Sequence, residues 1–414
     1  MDMPAGATAA DAAVATPVRF EKPFTQQEPL SPAAIEAAVS VMQGGRLHRY
    51  NTLNGETAEV ALLEQEYAAW QGARHCIACT SGGQGLQLAL RALGAAPGVP
   101  VLANAFTLAP VPGAIHAVGA EAVLVETGQD WRIDLADLAA KAAASGARIL
   151  MLSHMRGHIA DMEAITALCE AHGIAIIEDC AHTMGARWKG VRSGNWGRIA
   201  CFSTQTYKHL NSGEGGFVTT DDAELAARMI VMSGSYMLYE RHGTAPGAEV
   251  FEPLRLDMPN LSCRMDNLRA AILRAELPLL DARIARWNAL YQALEEALAG
   301  AETIITMRRP EEESMVGSSF QFHLPPQRAE AAPAFVAACA RRGVELKWFG
   351  ADRPQGFTSR FDSWRYLGRA PELPQTRDVL ATTFDLRLPL TFEPADCVLI
   401  AQILREEADA LIPS

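Results

Sequence analysis

The chain of 414 residues contains no apolar run approaching the roughly 20 residues that a membrane-spanning helix needs, so no such helix is expected. It is also short of positive charge: 36 Lys and Arg stand against 48 Asp and Glu, a formal net charge of −12. That balance repels a phosphodiester backbone and excludes nucleic acid as an expected partner. Any anionic ligand must meet a local pocket instead. Cysteines number only 8, mostly inside apolar runs such as "CIAC" and "IACF". Such usage excludes a disulfide scaffold and reads as buried thiols of a reducing compartment. Cys76 and Cys79 form a C-x-x-C that is either redox-active, half of a zinc site, or plain alternation on a strand. With no second pair at suitable spacing, alternation is the preferred reading. The opening "MDMPAGATAADAAVATPVRF" lacks the basic start and continuous apolar stretch of a secretory signal. A loose Ala-rich tail over residues 1–22 and a cytoplasmic location are therefore expected.

What is present is 49% apolar and 20% charged, the balance of a well-packed globular protein with one large domain and a smaller one. "SPAAIEAAVSVMQGG" has Ser31 to cap, Pro32 in the first turn and a Gly pair to stop, which predicts a short helix. The runs "CIACT", "VPVLAN", "AEAVLVE", "ARILMLS" and "IAIIED" then alternate with helical stretches, which predicts a mainly parallel α/β sheet covered on both faces. Closer strands follow at "GARWKG", "RIACFS" and "GGFVTT". The expected organisation is a large domain over 23–262, one long linking helix over 263–299, and a smaller α+β domain over 300–414. The Arg, Pro and Gly-rich stretch 348–375 is expected to be loop.

Ligands in parallel sheets sit at the carboxyl ends of the strands, and "IAIIED" delivers Glu178 and Asp179 there. Lys208 follows a second strand ending in Ser203 and precedes "GEGG". "CIACT" runs into Ser81, Gly82 and Gly83 at a helix N-terminus, where amides and the dipole favour an anion. A buried carboxylate for a pyridinium nitrogen, an amine for imine formation and a nest for a phosphate together match pyridoxal 5'-phosphate (PLP). Taken singly, Asp179 also reads as a helix cap, Lys208 as a solvated turn, and "SGG" as an ordinary strand-to-helix loop.

The stretch "IIEDCAHTMGARWKGVRSGNWGRIACFSTQTYKHLNSGEGGFVTT", with "TSGGQGLQLALRALG", "HMRGHIADMEAI" and "CRMDNLRAAI", closely resembles the DegT/StrS family. That family comprises PLP-dependent aminotransferases of fold type I that act on keto sugars and cyclitols. The resemblance covers most of residues 30–410 and rests on E-D-x-A-(Q/H) followed by S-x-x-x-x-K-x-x-x-x-GEGG. It implies an aspartate-aminotransferase-like fold and a homodimer with active sites at the subunit interface. The substrates it implies are a keto compound and an amino donor, glutamate or glutamine.

Carried over, the resemblance makes Lys208 the amine that condenses with the cofactor aldehyde and shuttles the proton, and Asp179 the partner of the pyridine nitrogen. Ala181 and Phe106 would lie on the two faces of the ring, His182 would bond the phenolic oxygen, and Ser203, Gly82 and Gly83 would hold the phosphate. Relatives often carry Thr at the position of Gly83 and Gln at that of His182. In "PNLSCRM", Ser262 stands where relatives place an Asn that reaches the neighbouring subunit's phosphate, with Asn260 as a substitute. His154, Arg156 and Tyr236 are further substrate candidates; His154 also reads as a strand-end histidine, and Tyr236 with Tyr239 as packing at a helix end. Arg46, His48 and Arg49 form a basic cluster that either meets an anionic substrate group or is solvated. Dehydration or aromatisation on the same scaffold is the alternative chemistry, and a catalytically silent ligand sensor the alternative class.

Overall fold

A computed structural model describes residues 18–53 and 55–411. The five apolar runs of the first half are strands β1 (His75–Cys79), β2 (Pro100–Asn104), β3 (Glu121–Val125), β4 (Ile149–Ser153) and β5 (Ala175–Asp179). The short strands β6 (Arg187–Trp188) and β7 (Val191–Arg192) follow, then β8 (Ile199–Ser203) and β9 (Gly216–Thr220). Further on lie β10 (Glu313–Ser314), β11 (Ser319–His323), β12 (Lys347–Trp348) and β13 (Thr383–Arg387). The main sheet has the order β1-β9-β8-β5-β4-β2-β3, and β9 is the strand antiparallel to both of its neighbours. β6, β7 and β10 form a side sheet, and β11, β13 and β12 form the antiparallel sheet of the C-terminal portion.

Each central strand is buried on both faces, which is why it reads as a continuous apolar run. Alternate residues feed two cores. Leu150, Leu152, Ile176, Ala200 and Phe202 face one, and Ile149, Met151, Ile177, Ile199 and Cys201 face the other. Cys76 and Cys79 fall in different cores for the same reason, so the C-x-x-C is strand alternation. All eight cysteines are buried and free.

Two expectations change. The expected tail lies outside the described residues as far as 17. From Val18 the chain is docked: the amide of Phe20 donates to the Arg342 carbonyl at 2.8 Å, and Phe20, Phe24 and Phe392 pack ring to ring at 5.0–5.4 Å. The expected single linking helix is two helices, Asn267–Glu276 and Leu280–Leu298, joined by a 3-10 turn at Leu277–Leu279. Pro278 sits in that turn and has no amide hydrogen to continue the ladder.

The basic cluster of Arg46, His48 and Arg49 is divided. Arg46 pairs with Glu56 at the surface and His48 is exposed. Arg49 turns inward and donates two hydrogen bonds of 3.0 Å to Glu64, which also accepts the amides of Ala78 and Gly243. Burial alone would raise the Glu64 carboxyl. The charges of Arg49 and His242 overcome that and hold it well below the usual range. This carboxylate ties the helix Glu59–Gln71 to β1 and to the loop at Gly243. Its stabilisation is present above the unfolded-state pKa and is lost as pH falls. Glu64→Gln leaves Arg49 buried with half its partner and is expected to lose about 3–5 kcal/mol in urea unfolding. A loss below about 1 kcal/mol would contradict the role.

Candidate active site

β5 ends in two acids that alternation sends to opposite faces. Glu178 is saturated on its side by the amides of Gly194 (2.9 Å), Trp196 (2.8 Å) and Gly197 (2.6 Å), and by His154 Nε2 at 3.1 Å. Burial would raise its pKa, but those hydrogen bonds bring it below the usual carboxylate value. His154 is thus held inside the protein, 1% exposed, and is not among the residues lining the cavity around Lys208. Asp179 faces the other way. Its Oδ2 accepts from the Ser153 hydroxyl at 2.8 Å, its Oδ1 from the Ala181 amide at 3.2 Å, and Ser153 lies directly opposite it on β4.

Because β9 runs back against β8, the segment 204–215 is a hairpin connection standing on the carboxyl end of β8, next to the end of β5. It is stitched by Thr204 N to Gly215 O (2.9 Å), Ser212 N to Thr204 O (3.0 Å) and Thr206 N to Gly213 O (3.1 Å). Gly215 has φ 146°, and a Cβ there would come within 2.4 Å of the Thr204 hydroxyl, so "GEGG" is a steric requirement of this hairpin. Lys208 projects from it, half-buried, with Nζ 2.8 Å from His182 Nε2. Burial pushes the lysine down to about 7; Arg156 and Arg387 add to the push, and Asp179 and Asp385 oppose it. Burial, with the charge of Lys208 second, keeps His182 well below its ordinary value. The pair is therefore a neutral imidazole beside an amine that is half neutral near pH 7.

Opposite, Ser81 caps the helix Gly82–Ala92 through its hydroxyl to Gln84 N at 3.1 Å, and its carbonyl takes Gly85 N. Among the described residues nothing takes the amides of Gly82 and Gly83. A Cβ on Gly82 would lie 3.0 Å from that of Ser203, so the helix start and the β8 hydroxyl close on one another as a cup.

Lys208, His182 and the cup meet in one cavity of about 840 Å³, and Asp179 is not among its lining residues. Gly82, Gly83, His182, Ser203, Lys208 and Arg156 line it. Phe106 does not: it is 1% exposed and packs edge-on against Phe349 at 4.9 Å, while Leu108, two residues on, reaches the wall. Ala181 is half-buried beside Asp179. Asn260 and Ser262 are exposed away from the cavity, with the Asn260 side-chain oxygen accepting from the amide and hydroxyl of Ser262, whose φ is 51°. Tyr236 is 59% exposed with Arg264 over its ring, and Tyr239 stacks on Phe251 in the core, so neither lines the cavity. The stretch 348–375, expected as loop, supplies Phe357, Ser359, Ser363 and Trp364 to the wall. Asp385, Arg387, Lys347, Tyr207 and Gln205 also line it. Sequence reasoning missed the first three because they come from small-domain strands far along the chain, with no local motif.

The doubly wound sheet, the lysine hairpin and the small antiparallel domain define the aspartate-aminotransferase type of fold. The chain belongs to the DegT/DnrJ/EryC1/StrS aminotransferase family, whose model matches residues 32–404. It is 33% identical over 267 residues to a pleiotropic regulatory protein of Geobacillus stearothermophilus, covering 64% of each chain. It is 35% identical over 274 residues to the dTDP-3-amino-3,4,6-trideoxy-alpha-D-glucose transaminase of Streptomyces venezuelae, covering 65% of this chain and 66% of that one. The matched stretch thus spans just under two thirds of these curated relatives. The crystal structure of DesV from S. venezuelae superposes with a TM-score of 0.76 at 28% identity, covering 91% of this chain and 94% of that one.

The family's cofactor is PLP, and the site fits it: two free amides and a hydroxyl for a phosphate, a buried acid at the other end, and a depressed lysine between. Carbamylation of Lys208 by cyanate in the apoprotein is expected to titrate with an apparent pKa of about 7. A profile still rising at pH 10 would show that the pocket does not shift the amine.

Proposed function

We propose that the protein is a PLP-dependent aminotransferase that moves an amino group from glutamate or glutamine to a ketone on a sugar, nucleotide sugar or cyclitol. The observation that carries this reading is Lys208 Nζ at 2.8 Å from a neutral His182, above the Asp179 end of β5. Family membership and the sugar transaminase of Streptomyces venezuelae support the substrate class.

PLP, when bound, supplies the electron sink that stabilises negative charge on the carbon losing its proton. Lys208 Nζ has a near-neutral pKa suited to take and return that proton. Asp179, held by Ser153 and the Ala181 amide, would be the counter-ion of a protonated ring nitrogen. His182 positions the amine and, being neutral, can accept its hydrogen bond. Gly82, Gly83 and Ser203 anchor the phosphate without adding charge of their own.

The reading includes a homodimer. The turn at Asn260 and Ser262 projects to solvent beside exposed Tyr236, Met237 and Leu256, which fits a segment that completes a neighbouring site. No helix among the described residues is long and apolar enough to cross a membrane.

Lys208→Ala is expected to abolish turnover by at least about four orders of magnitude while leaving the circular dichroism spectrum unchanged. In a panel of keto sugars and cyclitols with labelled glutamate and glutamine, the wild type should transfer nitrogen. Loss of water without nitrogen transfer would favour the dehydratase or aromatase chemistry. No reaction and no visible cofactor band would favour a silent sensor.

A further inference from the structure

The cavity holds more positive charge than a cofactor site uses. Its small-domain wall presents Lys347 from β12 and Arg387 from β13, two paired strands. Phe357 lies between them, its ring centre 5.9 Å from the Lys347 ammonium and 5.9 Å from the Arg387 guanidinium. Arg387 also lies over the ring of Tyr207 at 3.8 Å. Tyr207 immediately precedes Lys208, so the guanidinium is held beside the hairpin that carries the amine.

Arg156, from the turn that follows β4, is differently placed. It contacts Asp385 at 3.0 Å and lies over Phe357 at 4.6 Å, and Asp385 is fixed in turn by Gln321 at 2.7 Å. Its charge is matched. Neither Lys347 nor Arg387 makes an ion pair with a carboxylate among the described residues. Glu214 and Glu345 also line the cavity, Glu345 exposed at its rim, and pair with neither. Aromatic faces attract a cation without neutralising it. Two unmatched cations facing one cavity, in a chain of net charge −12, mark a local site for an anion.

We propose that Arg387 and Lys347 form an anion subsite that binds a carboxylate or phosphate of the reacting ligand, separate from the cup at Gly82, Gly83 and Ser203. The inference rests on the aminotransferase reading and narrows it. The ligand placed before Lys208 carries its negative charge at the end that meets β12 and β13, with apolar or ring surface against Phe357 and Tyr207. Arginine's fork grips a planar anion in two bonds, and Lys347 adds charge.

The test uses the PLP-loaded protein and two probes, glutarate and inorganic pyrophosphate, titrated calorimetrically against the wild type, Arg387→Gln, Lys347→Gln, the double variant and the charge-keeping Arg387→Lys. The double variant is expected to weaken one probe by roughly tenfold or more. Arg387→Lys should lose less, with folding and the cofactor band intact in each. Loss confined to glutarate assigns a carboxylate, and loss confined to pyrophosphate assigns a phosphate-bearing ligand. Equal binding of both probes to wild type and double variant, or no binding to either, overturns the subsite. Should the protein take up no PLP while the anion effect persists, the aminotransferase reading fails and the subsite stands.

Discussion

A lysine is a useful nucleophile near neutral pH only when its ammonium form is made costly, and the burial of Lys208 serves that end. Withdrawal from water is the largest contribution, and the neighbouring guanidinium groups of Arg156 and Arg387 add to it. Asp179 and Asp385 restrain the shift, so the amine settles near 7 and remains able both to give up and to regain a proton. The sheet makes this possible. Parallel strands β4, β5 and β8 end side by side, so Ser153, Asp179 and the Lys208 hairpin converge without any long reach.

The same end of the sheet separates two acids that are adjacent in sequence. Glu178 closes the loop 194–197 and holds His154, a structural duty inside the first core. Asp179 keeps lighter bonding, one hydroxyl and one amide, and its charge acts on Lys208. His154, Glu178 and Cys180 lie close enough together to suggest a metal cluster. Glu178 already accepts four hydrogen bonds, so a cation there would have to displace them.

Much of this was legible in the sequence because the cofactor half of the site is local. Asp179, His182, Ser203 and Lys208 lie within thirty residues of one another, and the glycines after Lys208 are set by a sterically crowded hairpin. Gly82 and Gly83 were legible as a strand-to-helix turn. Phe106 lies in the second core while Leu108 reaches the wall, because the chain bends over 105–107 after β2 and follows no period that the sequence discloses. For His154 and Tyr236 the sequence left two placements open, because a strand end or an aromatic pair does not disclose which way a side chain points. The linking helix looked continuous because apolar periodicity persists across Pro278. The ligand half of the cavity was illegible: Lys347, Asp385 and Arg387 reach it only through the pairing of β12 with β13. No spacing in the sequence encodes that pairing with the Lys208 hairpin.

The central claim is that Lys208, and no other lysine, is the amine that this pocket prepares for a vitamin B6 aldehyde. Borohydride reduction of the PLP-loaded protein followed by peptide mass mapping tests it most directly. A pyridoxyl label on Lys208 alone is the predicted result. A label on another lysine with Lys208 unmodified, or no label at all, would contradict the account.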